Sequence, residues 1–112
     1  MIRVAFLKGE DKLIGFEAKG HADYAEYGSD IVCSAVSGIL ITAVRGLQKV
    51  AEASPKTSSN EETGYLKAVI EPTLEAEKLM KAQVILETAR LGLLGIMKQY
   101  PDFVRVHMLR RR

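Results

Sequence analysis

Cys33 is the chain's only cysteine, and His21 is one of its two histidines. Both lie in one stretch, Gly20 to Ser37, which reads Gly-His-Ala-Asp-Tyr-Ala-Glu-Tyr-Gly-Ser-Asp-Ile-Val-Cys-Ser-Ala-Val-Ser. Ser29 and Asp30 are good helix-capping residues, and the apolar run from Ile31 has helical spacing, so a helix is expected to open there with Cys33 in its first turn. The unpaired amides and dipole of a helix N-terminus favour negative charge, and so favour a thiolate over a thiol. An imidazole folded back from the preceding loop would accept the thiol proton and complete a nucleophile–base pair. By residue type alone, a lone cysteine near the start of an apolar helix is more often a small packing residue. The loop tilts the reading toward chemistry. Between Gly20 and Ser29 it holds Tyr24, Tyr27, Asp23, Glu26 and Gly28 with no strand or helix pattern, more than a plain connection needs.

Gly-His-Ala, followed by Tyr-Ala-Glu-Tyr-Gly-x-Asp-Ile-Val-Cys-x-Ala-Val-Ser, resembles the signature of the ribosomal-processing cysteine proteases, the Prp family. In length and element order the resemblance covers nearly the whole chain. It implies a homodimeric endopeptidase that removes a short N-terminal extension from a large-subunit ribosomal protein, with apolar and aromatic residues before the cut. On the same resemblance Cys33 is the nucleophile and His21 its general base, and Asp30 and Ser37 fall on positions that the family keeps.

The residues themselves refine those roles. A carboxylate beside a thiolate opposes its ionisation, so Asp30 reads as a helix cap or a holder of loop amides rather than an orienter of the base. Ser37 lies one helical turn beyond Cys33, where it either serves the thiol or the reacting carbonyl, or simply packs. Asp23 and Glu26 are candidate orienters of His21, although exposed loop acids are common. Gly20 and Gly28 flank the loop as hinges, Tyr24 and Tyr27 are candidate pocket-lining residues, and amides at the start of the helix are candidate oxyanion donors.

Other chemistries find less support. One cysteine and two histidines without paired-ligand spacing argue against a metal site, and no glycine pattern suits a phosphate-cradling loop, so no cofactor is expected. His107 shares a strand face with Arg105, which suits an exposed polar surface better than a catalytic base. A single cysteine excludes an internal disulfide and fits a reducing cytoplasm. The N-terminus lacks a signal-peptide core, and no segment reads as a membrane span, so a cytoplasmic protein without membrane contact is expected. A formal charge of +2 argues neither for nor against nucleic acid. The rival reading is a non-catalytic ribosome-associated module that holds RNA or protein through Arg110, Arg111, Arg112 and an exposed strand face. Another thiol chemistry, such as amide hydrolysis on a small molecule, is a third.

The elements that must position these groups follow from periodicity. With 112 residues and no composition break, one domain spanning residues 1–112 is expected. Ile2 to Lys8 and Leu13 to Lys19 read as a hairpin, with Ile14, Phe16 and Ala18 on one face. A helix is expected from Asp30 to Ala53, in which Gly38 and Gly46 either mark close helix packing or are simply tolerated. Ala53 to Gly64 reads as a surface loop without function, Gly64 to Ile70 as a strand, Pro72 to Gln99 as a long helix, and Phe103 to Leu109 as the last strand. The predicted fold is an α+β two-layer sandwich of order β-β-α-β-α-β, a four-stranded sheet with two helices on one face and its strand order open. Both helices have wide apolar surfaces, a pattern that suits burial in a homodimer.

Overall fold

A computed structural model describes the backbone of residues 1–21 and 29–111, and their side chains except those of Ser29 and Asp30. The elements run β1 (Ile2–Gly9), β2 (Lys12–Lys19), α1 (Ser29–Lys49), β3 (Lys56–Asn60), β4 (Tyr65–Val69), α2 (Ala76–Gln99) and β5 (Val104–Arg111). The strands form one mixed sheet in the order β3-β4-β2-β1-β5. Only the β1–β5 pair is parallel; the other pairs are antiparallel.

The sheet thus has five strands, not the four expected. The extra one, Lys-Thr-Ser-Ser-Asn, lies inside the segment read as a loop, and all its residues are exposed. An edge strand with nothing to bury carries no alternation of apolar and polar residues, which is the signal that reveals strands. Helix ends also move. After Lys49, the Val50 and Ala51 N–H groups both donate to the Gly46 carbonyl, and Glu52 takes a left-handed φ of 49°, so α1 closes short of Ala53. Pro72 begins a turn, and α2 starts at Ala76.

Burial follows the two periodicities. Val32, Val36, Leu40, Ala43 and Leu47 recur at helical spacing and are buried, as are Ala82, Leu86, Ala89 and Leu93 of α2. They meet Val4, Phe6, Phe16, Ala18, Ala68 and Val104 from the sheet in one core. Phe6 and Phe16 are direct cross-strand partners with ring centroids 6.1 Å apart, a pairing worth about 1 kcal/mol beyond its area. Gly46 does mark close helix packing, since a Cβ there would stand 3.3 Å from Ile85, whereas Gly38 meets nothing within 4 Å.

One expected face is broken. Leu7 pairs with Gly15 but Lys8 with Leu13, so a bulge leaves Ile14 unpaired, away from Phe16 and Ala18 and against Gly9. Gln83 of α2 repairs the backbone there. The Leu13 N–H donates to its Oε1 at 2.7 Å, and its Nε2 donates to the Leu13 carbonyl at 2.8 Å.

The expectation that no segment reaches membrane-span character also needs correction. Ile31–Lys49 is long and apolar enough to cross a bilayer by composition, with mean hydropathy 1.6. In this fold its apolar residues are divided between the sheet, α2 and an outer face where Ile41 is exposed.

Candidate active site

His21 enters the site from the end of β2. Gly20 makes the turn with φ 88°, and a Cβ there would lie 2.6 Å from the Met1 carbonyl oxygen, so glycine is required for the chain to pass the N-terminus. The imidazole that follows is exposed but held: His21 Nε2 lies 3.2 Å from the Glu62 carbonyl and donates to it in the tautomer that carries the proton there. Nδ1 is then the basic nitrogen.

Glu62 belongs to the tight turn joining β3 to β4, and the sequence dictates its shape. Asn60 Oδ1 accepts from the N–H groups of Glu62 at 3.0 Å and Thr63 at 3.4 Å, a side-chain turn of the kind asparagine favours. Thr63 Oγ1 donates to the Asn60 carbonyl, the Gly64 N–H donates to that of Glu61, and Gly64 closes the loop with φ 68°. Gly64 is needed a second time. A Cβ on it would lie 2.8 Å from His21 Cε1, 2.9 Å from Nε2 and 2.5 Å from the Gly20 carbonyl oxygen.

Cys33 arrives from the opposite wall. It lies in the first turns of α1, half-buried, packed against the core yet lining a cleft of about 420 Å³. Val36, Ser37, Leu40 and Ile41 extend the same helix face along the cleft. Ile2, Ala18 and Leu66 add apolar wall, and Asn60, Glu61 and Gly64 form the rim beside His21.

Of the residues singled out in the sequence, the fold therefore brings Gly20, His21, Cys33 and Ser37 to one cleft. α1 does begin at Ser29, as the capping pattern predicts. Asp23, Tyr24, Glu26, Tyr27 and Gly28 lie outside the described residues, as does the Asp30 side chain. His107 stands on β5, exposed, two residues from Arg105 and directly beside Ala5 of β1, on the sheet face away from the helices. Sequence reasoning missed the β3–β4 turn, which had been assigned no function. Its signal was legible as Asn-x-x-x-Gly, a turn-forming asparagine followed by a glycine suited to the left-handed position.

A larger groove of about 790 Å³ runs between α1 and α2, lined by Ala35, Gly38, Ile39, Thr42, Ile85 and Thr88 among others. It has no titratable lining residue, so its hydroxyls, Ser34, Thr42 and Thr88, have no acid or base beside them in the lining.

A thiol at a helix start and an imidazole oriented by a carbonyl, sharing an apolar cleft, define the class of cysteine hydrolases that work through a covalent thioester. The family model described as Cysteine protease Prp matches residues 1–105, and the chain belongs to that family. It is 33% identical over 107 residues to the ribosomal processing cysteine protease Prp of Bacillus subtilis, covering 95% of this chain and 96% of the relative. Two solved structures of the essential ribosomal processing protease Prp from S. aureus are also similar. The one in complex with a substrate peptide matches with TM-score 0.83 at 25% identity, over 97% of this chain and all of that one. The one with a covalently linked product peptide gives TM-score 0.82 at 28% identity and the same coverage.

Proposed function

We propose that this cysteine protease removes the N-terminal extension of a large-subunit ribosomal protein, with Cys33 as nucleophile and His21 as general base. The observation that carries the assignment is their shared cleft, in which the β3–β4 turn holds the imidazole. The relatives' names support the substrate class.

The chemistry follows from the geometry. His21 Nδ1 takes the Cys33 proton, and the sulfur attacks the scissile carbonyl carbon. Backbone N–H groups in the first turn of α1 have no intrahelical partners and stabilise the oxyanion. As the tetrahedral species collapses, the C–N bond breaks, the imidazolium gives its proton to the leaving amine, and a thioester remains. Water then gives a proton to His21 and attacks the thioester carbon. The acid product leaves, and sulfur recovers its proton. The Glu62 carbonyl keeps the imidazole in one tautomer through both half-reactions, a role that Asp23 and Glu26 were candidates to fill. Ser37, one turn below Cys33, supports the thiol. Apolar substrate residues before the cut suit the wall formed by Ile2, Val36, Leu40 and Leu66.

The protein acts in the cytoplasm as a homodimer in which a second copy covers the apolar groove between α1 and α2. Val84, which lines that groove and is 63% exposed, is the kind of side chain such an interface removes from water.

The decisive experiment incubates the candidate ribosomal protein with the parent, Cys33→Ala and His21→Ala proteins and reads intact mass. Truncation by the parent alone is expected, with a loss on the order of 10³-fold for His21→Ala. Undiminished truncation by either variant overturns the residue assignment. A full-length ribosomal protein with the parent overturns the substrate.

A further inference from the structure

The helices cover one face of the sheet. The other face is built from alternate strand residues, and its charge is one-sided. Arg3, Lys19, Lys56, Lys67, Arg105 and Arg111 occupy this face by register. Among all strand residues the single acid is Glu17. Glu17 is already engaged: the Tyr65 hydroxyl donates to it at 2.6 Å and Lys19 Nζ lies 3.7 Å away. The chain's net charge is only +2, so its acids are concentrated in the helices and connections.

The arrangement opposes stability. Lys19 is the direct cross-strand partner of Arg3, and Arg3 that of Arg105, which sets three cations in a row across β2, β1 and β5. Like charges directly opposite each other destabilise a sheet. At about 4.8 Å between strands the row places one positive charge every strand over roughly 10 Å. Further along the sheet, Lys56, Lys67 and Arg111 line a shallow concavity of about 440 Å³ with Gly9, Ile14 and Ser58, and Glu71, from the connection after β4, is the one acid on its lining.

We propose that this open face docks the sugar–phosphate backbone of a nucleic-acid strand. A polynucleotide presents about one phosphate per 3.4 Å of its axis, a density that relieves a cation row of this spacing, and arginine recognises phosphate through paired donors. Tyr65 is held by Glu17, so the face offers charge rather than stacking platforms, and recognition is through phosphates without base readout. Lys19 directly precedes Gly20 and His21, so the face adjoins the catalytic cleft yet contributes none of the cationic side chains named here to its lining. Nucleic-acid docking is thus a property beyond the protease reading and does not rest on it.

The test measures fluorescence anisotropy of a labelled 20-nucleotide single-stranded RNA against parent protein and the triple variant Arg3→Gln, Lys67→Gln, Arg105→Gln, from low to physiological salt. Each phosphate contact of a single strand contributes about 0.7 to the slope of log affinity against log salt, so removing three lowers the slope by about 2. At low salt the variant is expected to bind at least tenfold more weakly. Its melting temperature is expected to stay close to the parent's, because losing Arg3 and Arg105 relieves repulsion across the row while losing Lys67 gives up its attraction to Glu17, and its peptide cleavage to stay within twofold of the parent. Weaker binding by a variant that stays folded excludes unfolding as the cause. The proposal is overturned by absence of RNA binding at low salt, or by a variant that keeps the parent's affinity and salt slope. It is equally overturned if a polyglutamate peptide or phosphatidylserine vesicles bind the parent as tightly as RNA. Cleavage lost on Cys33→Ala with RNA binding intact keeps the two functions distinguishable.

Discussion

Replacing Gly64 by alanine tests whether the β3–β4 turn positions the base. The new methyl would start 2.8–2.9 Å from the His21 ring and 2.5 Å from the Gly20 carbonyl oxygen, whereas carbon atoms rest at about 3.5–4.0 Å. Both neighbours belong to the arm that carries the imidazole, so the contact is relieved by moving that arm roughly 1 Å away from the turn. A displacement of that size in a reacting group costs on the order of 10²-fold in rate. Stability suffers separately, because alanine at φ 68° costs about 1–2 kcal/mol, a fall of roughly 4–8 °C in melting temperature. Steady-state cleavage of a peptide substrate, read beside thermal melts, separates the two effects: the folded variant should lose kcat far more than binding. Gly95→Ala is the control, since a Cβ there meets nothing within 4 Å in mid-helix, and it should gain up to about 1 kcal/mol with unchanged cleavage. A folded Gly64→Ala protein that cleaves within twofold of the parent would refute the claim that the turn sets the ring's position.

The same turn predicts that Asn60→Ala lowers cleavage about tenfold while Asn60→Asp restores most of it, because a carboxylate oxygen accepts from the same two N–H groups. Gln83→Leu should cost about 2–3 kcal/mol in urea unfolding by stranding the Leu13 N–H and carbonyl at the bulge, with little effect on the activity of the folded fraction. Tyr65→Phe removes the hydroxyl whose hydrogen bond, ahead of the opposing effect of burial, holds the Glu17 carboxyl below its ordinary value. A carboxyl lowered in the folded state adds stability above its unfolded value and loses it as pH falls, so the stability deficit of this variant at neutral pH should shrink in urea melts below about pH 4. Val84→Glu should halve the mass seen by light scattering while leaving the circular dichroism spectrum unchanged, as expected if a second copy covers the α1–α2 groove.

What could be read from the sequence depended on how far apart the cooperating residues lie. Cys33 and His21 were legible because one short stretch holds both, together with the start of α1 at Ser29. The strands that bury one face declared themselves by alternation, and the helices by their apolar stripes. β3 did not, because Lys-Thr-Ser-Ser-Asn buries nothing and owes its strand form to pairing with β4. Ile14, Phe16 and Ala18 alternate without a break in the sequence; the bulge that parts them is set by β1 and by a glutamine 70 residues from the hairpin. The support of His21 by Glu62 spans 41 residues for the same reason.

These distant constraints converge on the small region where β2 ends. Gly20 must clear Met1, the ring beside it must clear Gly64, and the strand that delivers both is pinned at its other end by Gln83. An exposed imidazole on a flexible arm would sample many orientations, and its effective concentration near a thiol would be low. Among the described residues the ring's orientation is set by backbone, through the Glu62 carbonyl it bonds and the Gly64 that lies against it. A carbonyl also suits the task better than a carboxylate. It fixes the same tautomer while adding no full negative charge beside a sulfur that must become an anion.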